Sequence, residues 1–526
     1  AIAEKNEHHI LSSEEKTVSI IFSGLVLGLS RTFWKQSTSV EVYSLHIFLI
    51  LAVIYFLLRA YIKNTPAGES SIKNWIMFAA ALALAFSNHL TTILIIPGAA
   101  YLYFDKNRFG KDSVKKIIIM LICFLPLLAL LYSYLPLRAS ANPEINWGNP
   151  VDMERILRHV SGKQYQVWLF ESMDSARKQF NYFVSNFPSE FAFTGLLFIA
   201  AGVIASFIAA RKLLIFLGIT FIFTLFYSIN YDIVDIDSYF LLAYIACGFF
   251  ALMGIQKIFT MVKPEKSISR AGLAIVAVFI LCQFYLNFRE VNQSGIRTFE
   301  DYTKAILQTA DKNSIILSYQ WDYFVSESYY YQHVEGLRKD ITVIDKELLR
   351  RSWYYNQLER NHPEAVKKLA PYTAPFLEAL KPFEESKNFN PDLLEKGYRD
   401  IMTHLVTDNL PERSVYIAPE LVEGEMSRGE FVLPEGYYLV PDLLMFRVVK
   451  TQDYVPAGDP SFIFRVTDKK SKYIINIQGF AGSMLVRRAL YELKFGKSDK
   501  AKKYINKVKN DMPDYQIPYD LAKVIN

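Results

Sequence analysis

Residues 75–104 read WIMFAAALALAFSNHLTTILIIPGAAYLYF, apolar throughout except for a polar knot at Ser87-Asn88-His89. One straight helix of this length would reach about 45 Å, more than a bilayer's hydrocarbon core needs. Basic residues flank the stretch on both sides: Arg59, Lys63 and Lys73 before it, and Lys106, Arg108, Lys111, Lys115 and Lys116 after it. Lys and Arg concentrate in cytoplasmic loops, so both flanks belong on the same side and the stretch crosses twice. The reading is two short helices that turn at Ser87-Asn88-His89; one long tilted helix is the alternative.

Working outward, further apolar segments fall at 16–31, 43–61, 114–136, 193–210, 213–229, 238–256 and 271–288. Arg211 and Lys212 mark a third inner loop, and Lys257, Lys263, Lys266 and Arg270 a fourth. The sum is an α-helical polytopic membrane domain of about nine spans, with the N-terminus inside. Loops 32–42, 88–90, 137–192 and 230–237 then share the outer side with everything after Phe288. The composition agrees, with 52% hydrophobic and 15% aromatic residues in 526, the mix of a chain surrounded by membrane lipids. The net charge of +6 is distributed by membrane side rather than gathered for nucleic acid. Cys123, Cys247 and Cys282 all lie inside apolar runs, where they read as small core residues rather than disulfides or metal ligands.

Four regions follow. Residues 1–15 are a polar cytoplasmic segment; the first residue is Ala, and the chain is expected to start inside a longer protein. Residues 16–290 form the transmembrane domain, 291–480 an extracytoplasmic α/β domain, and 481–526 a C-terminal helical cap. The outer loop 137–192 is too long for a connector and carries helical periodicity over Met153–Val160 and Val167–Val184, suited to a helix on the membrane plane or on the protein's own outer surface. Past Asn292, Ser314–Ser318 and Ile341–Asp345 read as strands and Asp322–Val334 and Lys346–Arg360 as helices, an alternation that argues a parallel pair. Strands are also expected at Ser414–Ile417 and Tyr437–Val449, and a helix at Pro391–Thr407. Met484–Val508, with Gly496 between two helical stretches, has the spacing of one tetratricopeptide-like hairpin.

The sequence has no phosphate-cradling Gly-rich loop, no zinc-spaced Cys/His set and no nucleophile elbow. Its distinctive polar residues gather on the outer side: Glu41 and Tyr43, Asn88 and His89, Arg138, Asn142 and Trp147, and Asp232, Asp235 and Asp237 of NYDIVDIDSY. A carboxylate can act as general base toward a hydroxyl, and an Arg can grip a leaving phosphate. Acidic oxygens can instead hold a divalent cation; no cofactor is assigned. Each residue also has a plainer role. Glu41 can pair with Arg31 or Lys35, His89 can cap a helix, the Asp run can be a solvated loop, and Arg138 can snorkel to the interface.

Four motifs together, SRTFWKQSTSVEVYSL, AFSNHLTT, YLPLRASANPEINWGNP and SGKQY, resemble a polytopic family once labelled only as a domain of unknown function. That family is common in Bacteroidota, belongs with the GT-C glycosyltransferases and includes a vertebrate protein O-mannosyltransferase of the endoplasmic reticulum. The later IILSYQWDYFVSESYYYQHVEGLRKDITVIDKELLRRSWYYNQL resembles its extracytoplasmic continuation. The resemblance implies a polyprenyl-phosphate sugar donor, a protein or glycan acceptor, and an active site at the outer face. For a bacterial chain it implies the inner membrane, with the C-terminal domain in the periplasm. Trp34, Glu41, Tyr43, Asn88, His89, Arg138, Asn142, Trp147 and Tyr165 match the family's recurring positions. Under it Glu41 and Asp237 are the catalytic candidates, and Asp235 joins the other matching residues in binding donor or acceptor. One departure stands out: the superfamily's acidic motif of the first outer loop is absent upstream of Leu11, and the chain is expected to begin after it. The competing readings are a scaffold subunit of an envelope protein complex and a lipid-linked saccharide transporter.

Overall fold

The computed structural model describes residue 11, residues 13–62, 72–261 and 266–519, and residue 521. The expected polar segment 1–15 lies mostly outside these, as do Lys63 and Lys263. The chain divides into two compact units, one of residues 1–141 and 150–293, the other of residues 142–149 and 294–526.

The first unit is helical. Its helices are α1 (Ser13–Gly28), α2 (Arg31–Thr38), α3 (Tyr43–Ile62), α4 (Ile72–Asn88), α5 (Ile96–Asn107), α6 (Lys111–Tyr132), α7 (Tyr134–Ser140), α8 (Met153–Val160), α9 (Met173–Glu190), α10 (Gly195–Ala209), α11 (Arg211–Ile229), α12 (Leu241–Met261) and α13 (Lys266–Val291). The deciding stretch does break at the polar knot. α4 ends at Asn88, and His89 takes an extended backbone whose ring accepts the Thr91 N–H, capping a 3-10 turn, Leu90–Ile95. Pro97, at the start of α5, fits there because the first helical positions have no intrahelical use for an N–H.

Among the described residues, five helical stretches are long and apolar enough to cross a membrane: Tyr43–Ile62, Lys111–Ser140, Arg211–Ile229, Ile236–Thr260 and Gly272–Val291. Two bent pairs raise the count to seven if each is one span. Two expectations need correction. The segment 16–31 is not one helix, because α1 stops at Gly28 and α2 leaves at 77°. The helix expected from Val167 starts only at Met173; Lys163–Trp168 is a 3-10 turn, and Leu169 makes a bridge with Tyr231. Backbone pairing across the chain outcompeted local helix formation there.

Packing uses small residues where helices cross. A Cβ on Gly202 of α10 would fall 1.7 Å from the Phe250 carbonyl oxygen of α12, and one on Gly254 would fall 2.0 Å from that of Phe198. Only glycine at both positions lets the two backbones touch, the small-residue contact by which helices associate in lipid.

The second unit contains α14 (Thr298–Thr309), β1 (Ile315–Ser318), α15 (Ser326–Tyr329) between two π turns, β2 (Thr342–Asp345), α16 (Ser352–Asn361), α17 (Pro363–Val366), α18 (Ala370–Glu384), α19 (Pro391–Thr407), β3 (Val415–Ile417), α20 (Pro419–Leu421), β4 (Tyr438–Asp442), β5 (Met445–Val449), α21 (Lys472–Lys494) and α22 (Ser498–Asp511). The sheet order is β2-β1-β3-β5-β4. β1 pairs in parallel with β2 and β3, while β5 runs antiparallel to β3 and β4. The expected parallel pair is thus present, but Tyr437–Val449 is a hairpin rather than one strand. One apolar cluster covers a face of the sheet with Ile316, Tyr416, α14 and α21; a second covers the other with Ile315, Ile417, α16 and α19. A boundary at 481 would cut α21, whose Ile477, Ala481, Leu485 and Ala489 are fully buried in the first cluster. The closing hairpin is therefore part of the core, not a cap added to it.

Candidate functional site

The polar residues of the first unit collect where α1 gives way to α2, α3 begins, α4 breaks and α12 starts. At the break, His89 Nδ1 lies 2.7 Å from Thr91 Oγ1, which in turn lies 3.1 Å from His46 Nε2. A buried hydroxyl thus links two imidazoles whose rings are 5.0 Å apart. Tyr43 stands against His89, centroids 5.3 Å apart, and against Tyr239 at 6.2 Å. Tyr231 meets Tyr239 at 5.0 Å, and Tyr165 is close enough to act electrostatically on Tyr231. Asn88 Oδ1 and His46 Nδ1 are buried without a hydrogen-bond partner.

Two residues before Tyr239, the chain presents an acid. Asp237 Oδ1 accepts a 2.9 Å hydrogen bond from the Tyr182 hydroxyl of α9. Lys35 and Arg31 of α2 attract its charge and Asp235 repels it. Arg31 Nε is buried with no partner. Close by, Glu190 is only 4% exposed and is held by neutral donors, the Thr32 N–H at 2.7 Å and the Thr32 hydroxyl at 2.8 Å. Glu190 and Asp237 act on each other electrostatically. Two carboxyls, a tyrosine hydroxyl and two cations therefore share one pocket of charge, beside the His–Tyr cluster. A carboxylate so placed can take a proton from a hydroxyl, and Arg31 with Lys35 can face an anionic group.

The sequence-selected residues divide. Tyr43, Asn88, His89 and Asp237 come together, with Asp235 exposed at their edge and Tyr165 near Tyr231. Glu41 is exposed and forms no ion pair among the described residues; the expected pairing with Arg31 or Lys35 is not made, though its charge reaches Tyr43. Trp34 stacks on Phe284 at 5.5 Å and packs on Phe288, an aromatic contact between α2 and α13. Arg138 is exposed in the last turn of α7. Asp232 is a structural anchor, taking Lys178 at 2.6 Å and Gln179 at 2.9 Å.

Asn142 and Trp147 belong to the second unit. Trp147 packs between Trp321 and Trp353, each with ring centroids 5.1 Å away. Its loop is tied down by the Asn146 N–H on Gln357 at 3.1 Å and by Glu144 on His333 at 2.7 Å. The neighbouring His333 holds the Glu144 carboxyl below the usual range.

Sequence reasoning did not select His46, Thr32, Tyr182, Glu190 or Tyr239. Glu190 carried a signal, a lone acid at the end of an amphipathic helix before an apolar run. His46 and Tyr239 carried none beyond sitting on apolar faces. Among the described residues, no group of three or more His, Cys, Asp or Glu is arranged to hold a metal ion.

Fold and site together define an integral membrane protein of several apolar helices, carrying a mixed α/β unit and a buried acid–tyrosine–cation cluster. Two family models match the chain: the Protein O-mannosyl-transferase TMEM260 N-terminal domain over residues 2–113, and TMEM260-associated domain 2 over residues 299–368. The chain is also similar to the protein O-mannosyl-transferase TMEM260 of Mus musculus, 22% identical over 371 residues, 65% of this chain and 51% of that protein. It thus spans about half the length of the curated relative it matches. No solved structure matches it. The resemblance read from the motifs, to a family that includes a vertebrate protein O-mannosyltransferase, is borne out by these matches.

Proposed function

We propose that the protein is a membrane glycosyltransferase of GT-C type, moving a sugar from a polyprenyl-phosphate-linked donor to a hydroxyl of a protein or glycan acceptor at the extracytoplasmic face. The observation that carries this reading is the meeting of Asp237, Tyr182, Arg31 and Lys35 at one end of the helices, beside Tyr43 and His89. In this reading Asp237 removes the proton from the acceptor hydroxyl as the sugar carbon is attacked. Arg31 and Lys35 stabilise the negative charge that builds on the departing lipid phosphate. Tyr43, His89 and Tyr165 form a wall suited to the apolar faces of a sugar, and Asn88 offers its unpartnered Oδ1 to a hydroxyl. Glu41 and Arg138, exposed and unpaired, would enter contact only with substrate bound. Glu41 is then a second candidate base, and Trp34 and Asp235 remain as binding candidates of the same unit; Asn142 and Trp147 are binding candidates of the second unit taken by itself.

The test is transfer by the full-length protein, reconstituted in vesicles with a radiolabelled polyprenyl-phosphate sugar and a Ser/Thr-rich acceptor peptide. Asp237→Asn should lower transfer by about 10²–10⁴, the range for loss of a general base. Wild-type transfer rates in both Asp237→Asn and Glu41→Gln would sink the assignment of the base.

A further inference from the structure

At the far end of the same helices lies a pocket that the proposed chemistry does not use. α3 begins with Tyr43 at the candidate site and ends near Tyr61; the rise along those residues is about 27 Å, roughly a hydrocarbon thickness. Tyr61 donates a 2.6 Å hydrogen bond to Asp105 of α5, and Lys212 of α11 pairs with the same carboxylate oxygen at 2.9 Å. Beside this junction is an open cavity of about 450 Å³, lined by Pro97, Ala100, Tyr101, Phe104, Asp105, Arg108 and Phe109.

Three features of the pocket point to one kind of occupant. Its lining carries one acid and one cation, Asp105 and Arg108, and among the described residues the electrostatic neighbours behind it, Lys212, Lys116 and Lys106, are basic. Lys212 is spent on Asp105, and Lys116 donates to Asn107 at 2.9 Å. The Arg108 side chain has no hydrogen bond or ion pair among the described residues, and its backbone sits at φ 59, in the left-handed region that a non-glycine residue seldom adopts. Apart from Asp105 and Arg108 its walls are apolar, and it opens outward. Phe109 is 85% exposed, yet stacks on Phe104 with centroids 4.4 Å apart. A stacked aromatic pair beside a guanidinium that makes no hydrogen bond among the described residues, at the end of lipid-facing helices, matches an amphiphile with an anionic head. Basic pockets at helix ends are where phosphorylated headgroups bind.

We propose that this pocket is a headgroup site for an anionic phospholipid, the phosphate resting on Arg108 and the edge of Lys212, and the first acyl carbons lying along Tyr101, Phe104 and Phe109. The same basic residues also suit simple orientation of the chain by charge, which needs no pocket. Lys111 and Lys115, exposed on the next helix and outside the pocket lining, separate the two roles.

The experiment uses the full chain purified in a neutral detergent, with native mass spectrometry and thermal unfolding as readouts. Phosphatidylglycerol, phosphatidylcholine and glycerol 3-phosphate are the probes. Phosphatidylglycerol should bind at least about 10-fold more tightly than phosphatidylcholine, a difference of about 1.4 kcal/mol, and raise the unfolding temperature. Arg108→Gln and Phe109→Ala should each reduce that preference, while the double variant Lys111→Gln/Lys115→Gln should keep it. Equal binding of the two lipids by the unaltered protein overturns the proposal, whatever the variants do. An equal loss in the Lys111/Lys115 control overturns it in favour of diffuse charge. Binding of glycerol 3-phosphate as tight as that of phosphatidylglycerol overturns the lipid assignment in favour of a free phosphate.

Discussion

Both units bury glutamates, and Glu492 and Glu190 are treated differently. Glu492 of the second unit is fully buried, paired with the equally buried Arg488 at 2.6 Å and hydrogen-bonded by the Tyr454 hydroxyl. Arg488 continues to the carbonyls of Pro441 and Val455, so the pair ties α21 to β4 and to the segment beyond β5. Glu190 of the first unit has no such cation; Thr32 supplies both of its short bonds. A buried charge compensated by an arginine and backbone carbonyls is a structural fastening. A buried carboxyl held only by neutral donors, next to a second acid, is a reservoir of unspent electrostatic energy, and such groups cluster at functional sites. Compensation alone does not decide, since Glu420 of the second unit is also buried on a neutral donor, the Ser318 hydroxyl; the reading of Glu190 rests on Asp237 and Tyr182 beside it.

The sharpest way to break this comparison is to neutralise each acid in turn. Asp237→Asn should produce the largest functional loss, the 10²–10⁴-fold drop in transfer given above, without loss of the folded membrane unit by circular dichroism. Glu492→Gln should do the reverse. It leaves Arg488 buried without its counter-charge, which costs about 3–5 kcal/mol, visible as a lowered unfolding temperature of the second unit with little direct effect on the chemical step. Glu190→Gln, which removes a charge that no cation balances, should leave stability nearly unchanged while reducing transfer. Equal destabilisation by Glu190→Gln and Glu492→Gln would erase the distinction.

A third test reads packing. Gly254→Leu drives a side chain into the Phe198 carbonyl, so α10 and α12 must separate. The expected result is loss of detergent-stable monodisperse protein, with Gly479→Leu, on a helix where a Cβ meets nothing within 4 Å, as the tolerated control.

A smaller effect concerns pH. Burial pushes Asp345 and Asp442 up to about 6 and Glu420 up to about 7. These groups hold protons more tightly folded than unfolded, so the stability they contribute is complete below the unfolded carboxyl range and is lost as pH rises through 6 to 7. Asp340, held near 2 by Arg338, acts oppositely and only below about pH 4. The second unit should therefore unfold at a higher temperature at pH 5 than at pH 8, and Glu420→Gln should flatten that slope. The smallest expected changes are those of Glu41→Gln and Arg138→Ala, about 10-fold in transfer, because neither side chain is held in place before substrate binds.

Much of the helical layout was legible in the sequence. Apolar runs are long because lipid-facing helices cannot alternate with polar residues, and Ser87-Asn88-His89 broke such a run where α4 ends. The parallel pairing of Ile315–Ser318 with Thr342–Asp345 was legible too, since short, mainly apolar strands separated by a helix have few other ways to bury themselves. The site was legible only in part. Tyr43, Asn88, His89 and Asp237 sit at helix ends and in the short turns between helices, where polar residues stand out against apolar neighbours. Glu190 and Tyr182 sit on an amphipathic helix, where acids and tyrosines are ordinary, and nothing local shows that they will meet Asp237.

What the sequence determined alone is therefore whatever depends on local composition: where helices are apolar, where they break, and which charges flank them. The bend at Leu29-Ser30, the return of Leu169 to Tyr231, the touching glycines of α10 and α12, and the pairing of Glu190 with Thr32 rather than with a cation were decided by tertiary structure. Each depends on a partner far away along the chain, and contact between distant residues is set by packing the whole unit rather than by the residues next door.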